Sequence, residues 1–133
     1  MTLIHHVEYW LANPAKELPA WRWLLSELGL TLSAQWEGGE SWQEPGGPYL
    51  TLTACPHTVG AVHNRRLPGV NHLAFVAGVP ARVDELMSAA GSHGWSQLYA
   101  ERYPHAGGEQ HYAGWLENAA GYKVELVAAA ETK

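Results

Sequence analysis

The two halves of the sequence carry the same residue pattern, displaced by 66 positions in a chain of 133 residues. The segment IHHV at 4–7 aligns with VNHL at 70–73, so that His6 matches His72, and the helix exits Gly29 and Gly94 match within one residue. Each copy reads as a strand, a helix and three further strands. A sheet with one apolar face must pack against another layer to bury that face. The repeat therefore predicts an α+β fold built from two tandem βαβββ modules.

Breaks in the pattern predict the boundaries of these modules within one domain, 1–133. Module one covers about 1–56, a polar linker about 57–68, and module two about 69–130. Alternation and apolar spacing predict the strands, which are 4–11, 31–37, 41–44, 49–55, 69–77, 96–103, 111–117 and 122–128. The predicted helices are 15–28, with its proper start at Pro19, and 81–94.

Composition excludes several classes of function. A net charge of −5 argues against nucleic-acid binding, because few basic groups are available to neutralise phosphates. The single Cys55 allows no internal disulfide, and no signal-like start or apolar run of about 20 residues is present. These features predict a cytoplasmic protein without membrane contact. Seven tryptophans and six tyrosines predict an aromatic core, with a few rings left to line a small-molecule pocket.

Three residues stand out as candidate metal ligands. His6 and His72 lie in otherwise apolar strands, and Glu125 is flanked by valine and leucine in the last strand. A buried carboxylate costs several kcal/mol unless it is paired or coordinated. Two imidazoles and one carboxylate are a common ligand set for Fe, Mn, Zn or Ni ions. Spacing alone leaves open whether the three side chains converge.

The repeated βαβββ plan, the first-strand histidine of each half and the terminal segment GYKVELV at 121–127 resemble the vicinal oxygen chelate superfamily. That superfamily includes glyoxalase I, extradiol dioxygenases, fosfomycin resistance proteins and bleomycin resistance proteins. The resemblance covers nearly the whole chain and implies curved mixed sheets around a cavity. It also implies a divalent metal ion held by His6, His72 and Glu125. A homodimer is expected from it, in which His6 of one subunit meets His72 and Glu125 of the other.

The sequence departs from the family in two places. A further ligand late in the first half would fall near Thr51, which is a poor ligand. This departure favours a three-ligand site with open positions, as in the dioxygenase or fosfomycin-resistance branches, over a glyoxalase I site. The usual D-P-D-G turn before the last strand is replaced by NAAG at 118–121, where only Gly121 remains.

Three further residues are candidate catalytic groups. His105 in a glycine-rich loop and His111 at the start of the next strand could be a general base and a substrate contact. Glu8 shares the face of His6 in an alternating strand and could be a base or orient an imidazole. Each also has a purely structural interpretation: His105 as a loop residue, His111 as a residue at a strand edge, and Glu8 as a solvated residue.

Two functions are consistent with these features. The first is a divalent-metal-dependent enzyme of lyase, isomerase or dioxygenase type, acting on a small oxygenated, chelating metabolite. The alternative is a metal-free protein of the bleomycin-resistance type that sequesters a small molecule or antibiotic in an aromatic-lined cavity. The complete His/His/Glu set favours the enzyme, whereas the tryptophan content and the missing fourth ligand favour the binder.

Overall fold

The computed structural model describes residues 3–130, which form two compact units that divide between Val62 and His63. The first unit contains β1 (His6–Trp10), α1 (Pro14–Glu27), β2 (Thr31–Trp36), β3 (Gly39–Gln43) and β4 (Tyr49–Thr53). The second contains β5 (Leu73–Gly78), α2 (Pro80–Ala89), β6 (Trp95–Leu98), β7 (Ala113–Asn118) and β8 (Lys123–Ala128), with short 3-10 turns at Ala90–His93 and Ala100–Arg102. The prediction of two βαβββ modules is confirmed.

Each unit has one four-stranded mixed sheet, and the two sheets have the same topology. The strand orders are β1-β4-β3-β2 and β5-β8-β7-β6, and in each sheet only the first pair is parallel. Glu8 pairs in register with Thr51 in the first sheet, and Ala74 pairs with Glu125 in the second. Thr51 is therefore the counterpart of Glu125, at the position where the family resemblance places a further ligand.

The helix of the second unit covers one face of its sheet. Val124 and Leu126 on β8 are fully buried, and a Cβ added to Gly114, which pairs with Leu126, would meet the α2 residue Met87. Because side chains alternate along a strand, Lys123 and Glu125 point to the opposite face. Both are less than a tenth exposed. This second face therefore buries charged groups, and it carries the candidate site.

Helix α1 begins earlier than predicted, at Pro14 rather than Pro19. The Asn13 side chain caps it by accepting from the backbone N–H of Lys16 at 3.3 Å, and the Glu17 carboxylate accepts from the Asn13 backbone N–H at 2.7 Å. Proline is well suited to the first helical position, because its missing N–H has no partner there in any case. Pro19 lies inside the helix.

The predicted strand 96–103 is also shorter in the structure. β6 ends at Leu98 because Tyr99 adopts a left-handed backbone conformation with φ of 57°, and a 3-10 turn follows. β5 begins at Leu73 and β7 at Ala113, so His72 and His111 precede their strands instead of lying inside them. No helix within residues 3–130 is long and apolar enough to cross a membrane.

Candidate functional site

Glu125 is the centre of the candidate site. It lies in β8 between Ala74 of β5 and Trp115 of β7, and it is 6% exposed. One carboxylate oxygen, Oε1, is 3.0 Å from Nε2 of His72, and the other, Oε2, contacts Nε2 of His111. The fold thus brings together two predicted metal ligands and one predicted catalytic histidine from three separate segments.

The orientation of the His72 ring is fixed by a chain of hydrogen bonds. Asn71 donates through Nδ2 to the backbone carbonyl of Arg65 at 3.1 Å, so its Oδ1 faces Nδ1 of His72 at 2.7 Å. The carbonyl accepts only, and the amide oxygen accepts only, so Nδ1 of His72 must carry the proton. With the proton of Nδ1 held by Asn71, Nε2, which faces Glu125, is the ring nitrogen left to bind a metal. This is the tautomer in which histidine binds a metal through Nε2.

The donor types at Glu125 fit a divalent metal ion, because the lone pair of Nε2 and a carboxylate oxygen at 3.0 Å need a proton or a cation between them. Yet within residues 3–130 no group of three His, Cys, Asp or Glu side chains is arranged to hold a metal ion. In this structure Glu125 instead hydrogen bonds directly to both imidazoles. Metal–ligand distances of about 2.0–2.2 Å would require the carboxylate and the rings to move apart around a common point.

His111 is held in place by the loop that precedes β7. Its backbone N–H donates to the carbonyl of Gly108 at 3.0 Å, and a Cβ added to Gly107 would lie 2.7 Å from the His111 ring. The hydroxyls of Tyr103 and Tyr112 both donate to Oδ1 of Asp84 on α2, at 2.5 and 2.6 Å. The glycine-rich loop is therefore anchored at both ends, and glycine at 107 leaves room for the imidazole.

These anchoring contacts shift the pKa values of the groups involved. The hydrogen bonds from Tyr103 and then Tyr112 lower the pKa of the Asp84 carboxyl. Burial, followed by the Asp84 hydrogen bond, raises the pKa of the Tyr103 hydroxyl. The Asp84 hydrogen bond, followed by burial, raises that of Tyr112. The anchor is thus an ionised carboxylate held by two neutral phenols.

A group of aromatic and basic residues lies on the same face of the sheet. Lys123, two residues before Glu125 on β8, donates to the Tyr99 hydroxyl at 2.9 Å. The Tyr99 ring contacts Trp115 edge-to-face, with centroids 5.8 Å apart, and Arg65 forms an ion pair with Glu117. The alternation of β8 places Lys123 on the face of Glu125, but sequence reasoning did not select Lys123, Tyr99, Arg65 or Asn71 as site residues.

The other predicted site residues lie elsewhere. His6 is exposed at the start of β1 in the first unit, stacked on Tyr49 with ring centroids 4.8 Å apart. Its Nδ1 is 2.8 Å from Nδ1 of the neighbouring His5. Glu8, also on β1, accepts from Nε1 of Trp10 at 2.7 Å. The role of His6 as a ligand stays a prediction.

His105 and Thr51 do not bond to Glu125. His105 is in the exposed loop, where its Nδ1 is 3.3 Å from the backbone carbonyl of His111 and its ring packs edge-to-face on Tyr112. The catalytic role considered for His105 stays a prediction. Thr51 is buried in the first unit, with its hydroxyl 2.7 Å from that of Ser41.

Comparison with known proteins gives a consistent result, although no protein-family model matches the chain. A candidate glyoxalase from Bacillus halodurans is 35% identical, and its crystal structure matches over 97% of each chain with a TM-score of 0.89. The uncharacterized protein YqjT of Bacillus subtilis (strain 168) is 34% identical over 125 residues, which cover 94% of this chain and 98% of the relative. A glyoxalase/bleomycin resistance protein from Albidiferax ferrireducens T118 is 18% identical and shares the fold, with a TM-score of 0.75 over 97% of this chain and 100% of the other.

Proposed function

Because the chain belongs to the vicinal oxygen chelate superfamily of glyoxalases, bleomycin resistance proteins and dioxygenases, we propose that it is a divalent-metal-dependent enzyme acting on a small oxygenated metabolite. The observation that supports this most directly is the His72–Glu125 contact, with the tautomer of His72 set by Asn71. A hydrogen-bonded partner on the far nitrogen is typical of histidines that bind metals.

His72 and Glu125 are the proposed ligands, together with His6 as the sequence predicts. A divalent ion of Fe, Mn, Zn or Ni held by this set supplies Lewis acidity toward two neighbouring oxygens of a substrate. Three protein ligands leave coordination positions open for a chelating molecule. The reaction is then of lyase, isomerase or dioxygenase type.

His111 is the proposed general base. Its side chain is 40% exposed, so a substrate can reach it, while Nε2 is held against Glu125. A base must lie within hydrogen-bond reach of the proton that it removes, and histidine suits transfer near neutral pH. His111 would take a proton from the substrate at Nδ1, with the hydrogen bond from Nε2 to the carboxylate of Glu125 keeping the ring oriented.

We propose a homodimer as the form in which His6 joins the site. In the single chain, the β1 face that carries His6 and Glu8 is exposed and includes Trp10 at 42% exposure. The matching face of β5 exposes Val76 at 71%. Uncovered apolar groups on both first strands support an interface there. Sedimentation over a dilution series should show dimers that dissociate with loss of bound metal; a metal-loaded monomer would contradict this arrangement.

Elemental analysis tests the proposed function. Untagged protein purified without chelator should contain roughly one transition metal ion per chain, as expected for a single site. His72→Ala and Glu125→Ala should lose the ion, His111→Ala should retain it, and the exposed His57→Ala is the matched control. Absence of metal in the wild type after reloading with Fe, Mn, Zn and Ni would refute a metal-dependent enzyme.

One observation favours the metal-free alternative. Both oxygens of Glu125 are already hydrogen bonded to imidazoles, beside the aromatic side chains of Trp115 and Tyr99. A binder of the bleomycin-resistance type would use such a polar group, whose hydrogen bonds are already satisfied, beside aromatic side chains that contact the ligand. Quenching of tryptophan fluorescence by a small ligand in the presence of chelator, with an unchanged affinity in Glu125→Gln, would support binding without metal.

A further inference from the structure

A compact cationic group surrounds Tyr99 on the sheet face that carries Glu125. Lys123 donates to the Tyr99 hydroxyl at 2.9 Å and lies 5.0 Å from the centroid of its ring. The Arg102 guanidinium lies 5.1 Å from the same centroid, and the positive charge of Arg65 also acts on the hydroxyl. We call these four residues the Tyr99 cluster. Three of the eight Lys and Arg side chains of a chain with net charge −5 thus meet at one tyrosine.

Lys123 is the unusual member of the Tyr99 cluster, because it is a buried ammonium group without an anionic partner. It is 8% exposed, and within residues 3–130 its hydrogen bonding is limited to the Tyr99 hydroxyl, with no ion pair to a carboxylate. Glu117 is directly across from it on β7, but the Glu117 carboxylate is paired with Arg65. An ammonium group has three donors, and burying one without a counter-charge is strongly unfavourable. An anion bound beside Lys123 would remove this imbalance.

Two further features of Tyr99 indicate a built site. Its backbone is left-handed, with φ of 57°, which bulky L residues rarely adopt and which is concentrated at functional positions. The pKa of the Tyr99 hydroxyl is lowered, mainly by the hydrogen bond from Lys123. Burial acts in the opposite direction, and the positive charges of Lys123 and Arg65 lower the pKa further. Negative charge is therefore favoured at the position of this hydroxyl.

We propose that the Tyr99 cluster binds an oxyanion, a carboxylate or phosphate-type group, that belongs to the substrate. Lys123 and Glu125 alternate on one face of β8, so their Cα atoms are about 6.7 Å apart. A small acid could therefore place its anionic end at Lys123 and Tyr99 and its oxygenated carbons at Glu125 and His72. This inference rests on the proposed function for the role of Glu125, and it narrows the substrate class to small oxygenated acids.

Anion binding can be measured directly on the full chain. Inorganic phosphate and acetate are titrated into 15N-labelled protein in chelator at constant ionic strength, and amide shifts are followed by NMR. We expect saturable shifts at Tyr99 and Lys123. Lys123→Met and Tyr99→Phe should each weaken binding by about tenfold, the usual effect of losing one charge-assisted contact. The exposed Lys16→Met is the matched control for charge and should bind as the wild type does.

Metal content measured on the same variants separates this inference from the proposed function. Lys123→Met that has lost anion binding but retains its metal supports the subsite. Anion binding in a wild type that takes up no metal also supports the subsite, while it refutes the metal-dependent enzyme. Absence of saturable shifts in the wild type, or equal affinity in wild type, Lys123→Met and Tyr99→Phe, would overturn the inference.

Discussion

Replacing Asn71 tests the tautomer argument at the candidate site. Oδ1 of Asn71 is 2.7 Å from Nδ1 of His72 and accepts its proton. Asn71→Ala removes this acceptor and leaves the ring free to rotate or to carry the proton on Nε2 instead. Loss of such an orienting partner typically weakens metal binding by 10- to 100-fold, or about 1.4–2.8 kcal/mol. Asn71→Asp keeps an oxygen acceptor for Nδ1, although it loses the bond to the Arg65 carbonyl. We therefore expect it to bind metal more tightly than Asn71→Ala.

The assay is competition for Zn²⁺ or Mn²⁺ against a chromophoric chelator. Asn64→Ala is the matched control, because Asn64 accepts from the backbone N–H of Arg66 at 2.9 Å in the same segment but does not contact His72. Thermal unfolding of the metal-free variants checks that each one folds. Equal metal affinities for Asn71→Ala and Asn64→Ala would refute the reasoning, and so would an Asn71→Asp variant as weak as Asn71→Ala.

Three further substitutions, Asp84→Asn, Gly121→Ala and its control Gly29→Ala, test two other features of the structure. Asp84→Asn should lower the free energy of unfolding by at most about 1 kcal/mol at pH 7, because Asp84 is exposed and its charge strengthens two hydrogen bonds. The pKa of Asp84 in the folded state is lowered from 3.8. The difference in free energy of unfolding between the wild type and Asp84→Asn should therefore be constant above pH 3.8 and disappear as the pH falls through the lowered pKa. Denaturation experiments in which the difference persists in acid would contradict this prediction. Gly29→Ala and Gly121→Ala place a side chain at nearly equal φ, 91° and 88°, but only the second meets a neighbour, the His63 carbonyl oxygen at 2.3 Å. In both variants the left-handed backbone should lower the free energy of unfolding by about 1–2 kcal/mol. In Gly121→Ala the clash should lower it by about 1–3 kcal/mol more. Equal losses of the two variants in chemical denaturation would contradict this and show that the His63 segment is free to move.

The sequence predicted the βαβββ modules well because their signals are local. Alternating side chains, apolar helix spacing and glycine or proline at turns act over a few residues, and the 66-residue repeat supplied each signal twice. Where local signals competed, prediction failed. The sequence predicts a helix start at Pro19, although Asn13 and Glu17 cap the helix earlier. The strand expected at 96–103 ends at Tyr99, whose left-handed conformation has no marker in its residue type.

The candidate site was predictable in its residue types but not in its contacts. A carboxylate among aliphatic residues identified Glu125, and the repeat identified His72. Their contact joins residues 53 positions apart, and the contact of Glu125 with His111 spans 14. Both depend on the register of β8 between β5 and β7 and on a loop held to α2 by Asp84.

By itself, then, the sequence determined that the chain forms two copies of one module and that Glu125 lies in a strand where it needs a partner. Only the tertiary structure decided which partners it has. It also placed Asn71 between His72 and the Arg65 carbonyl, and gathered Lys123, Arg65 and Arg102 around Tyr99. Strand periodicity is encoded within a few residues, whereas the direction of a ring nitrogen or the neighbours of a buried ammonium depend on how distant segments pack.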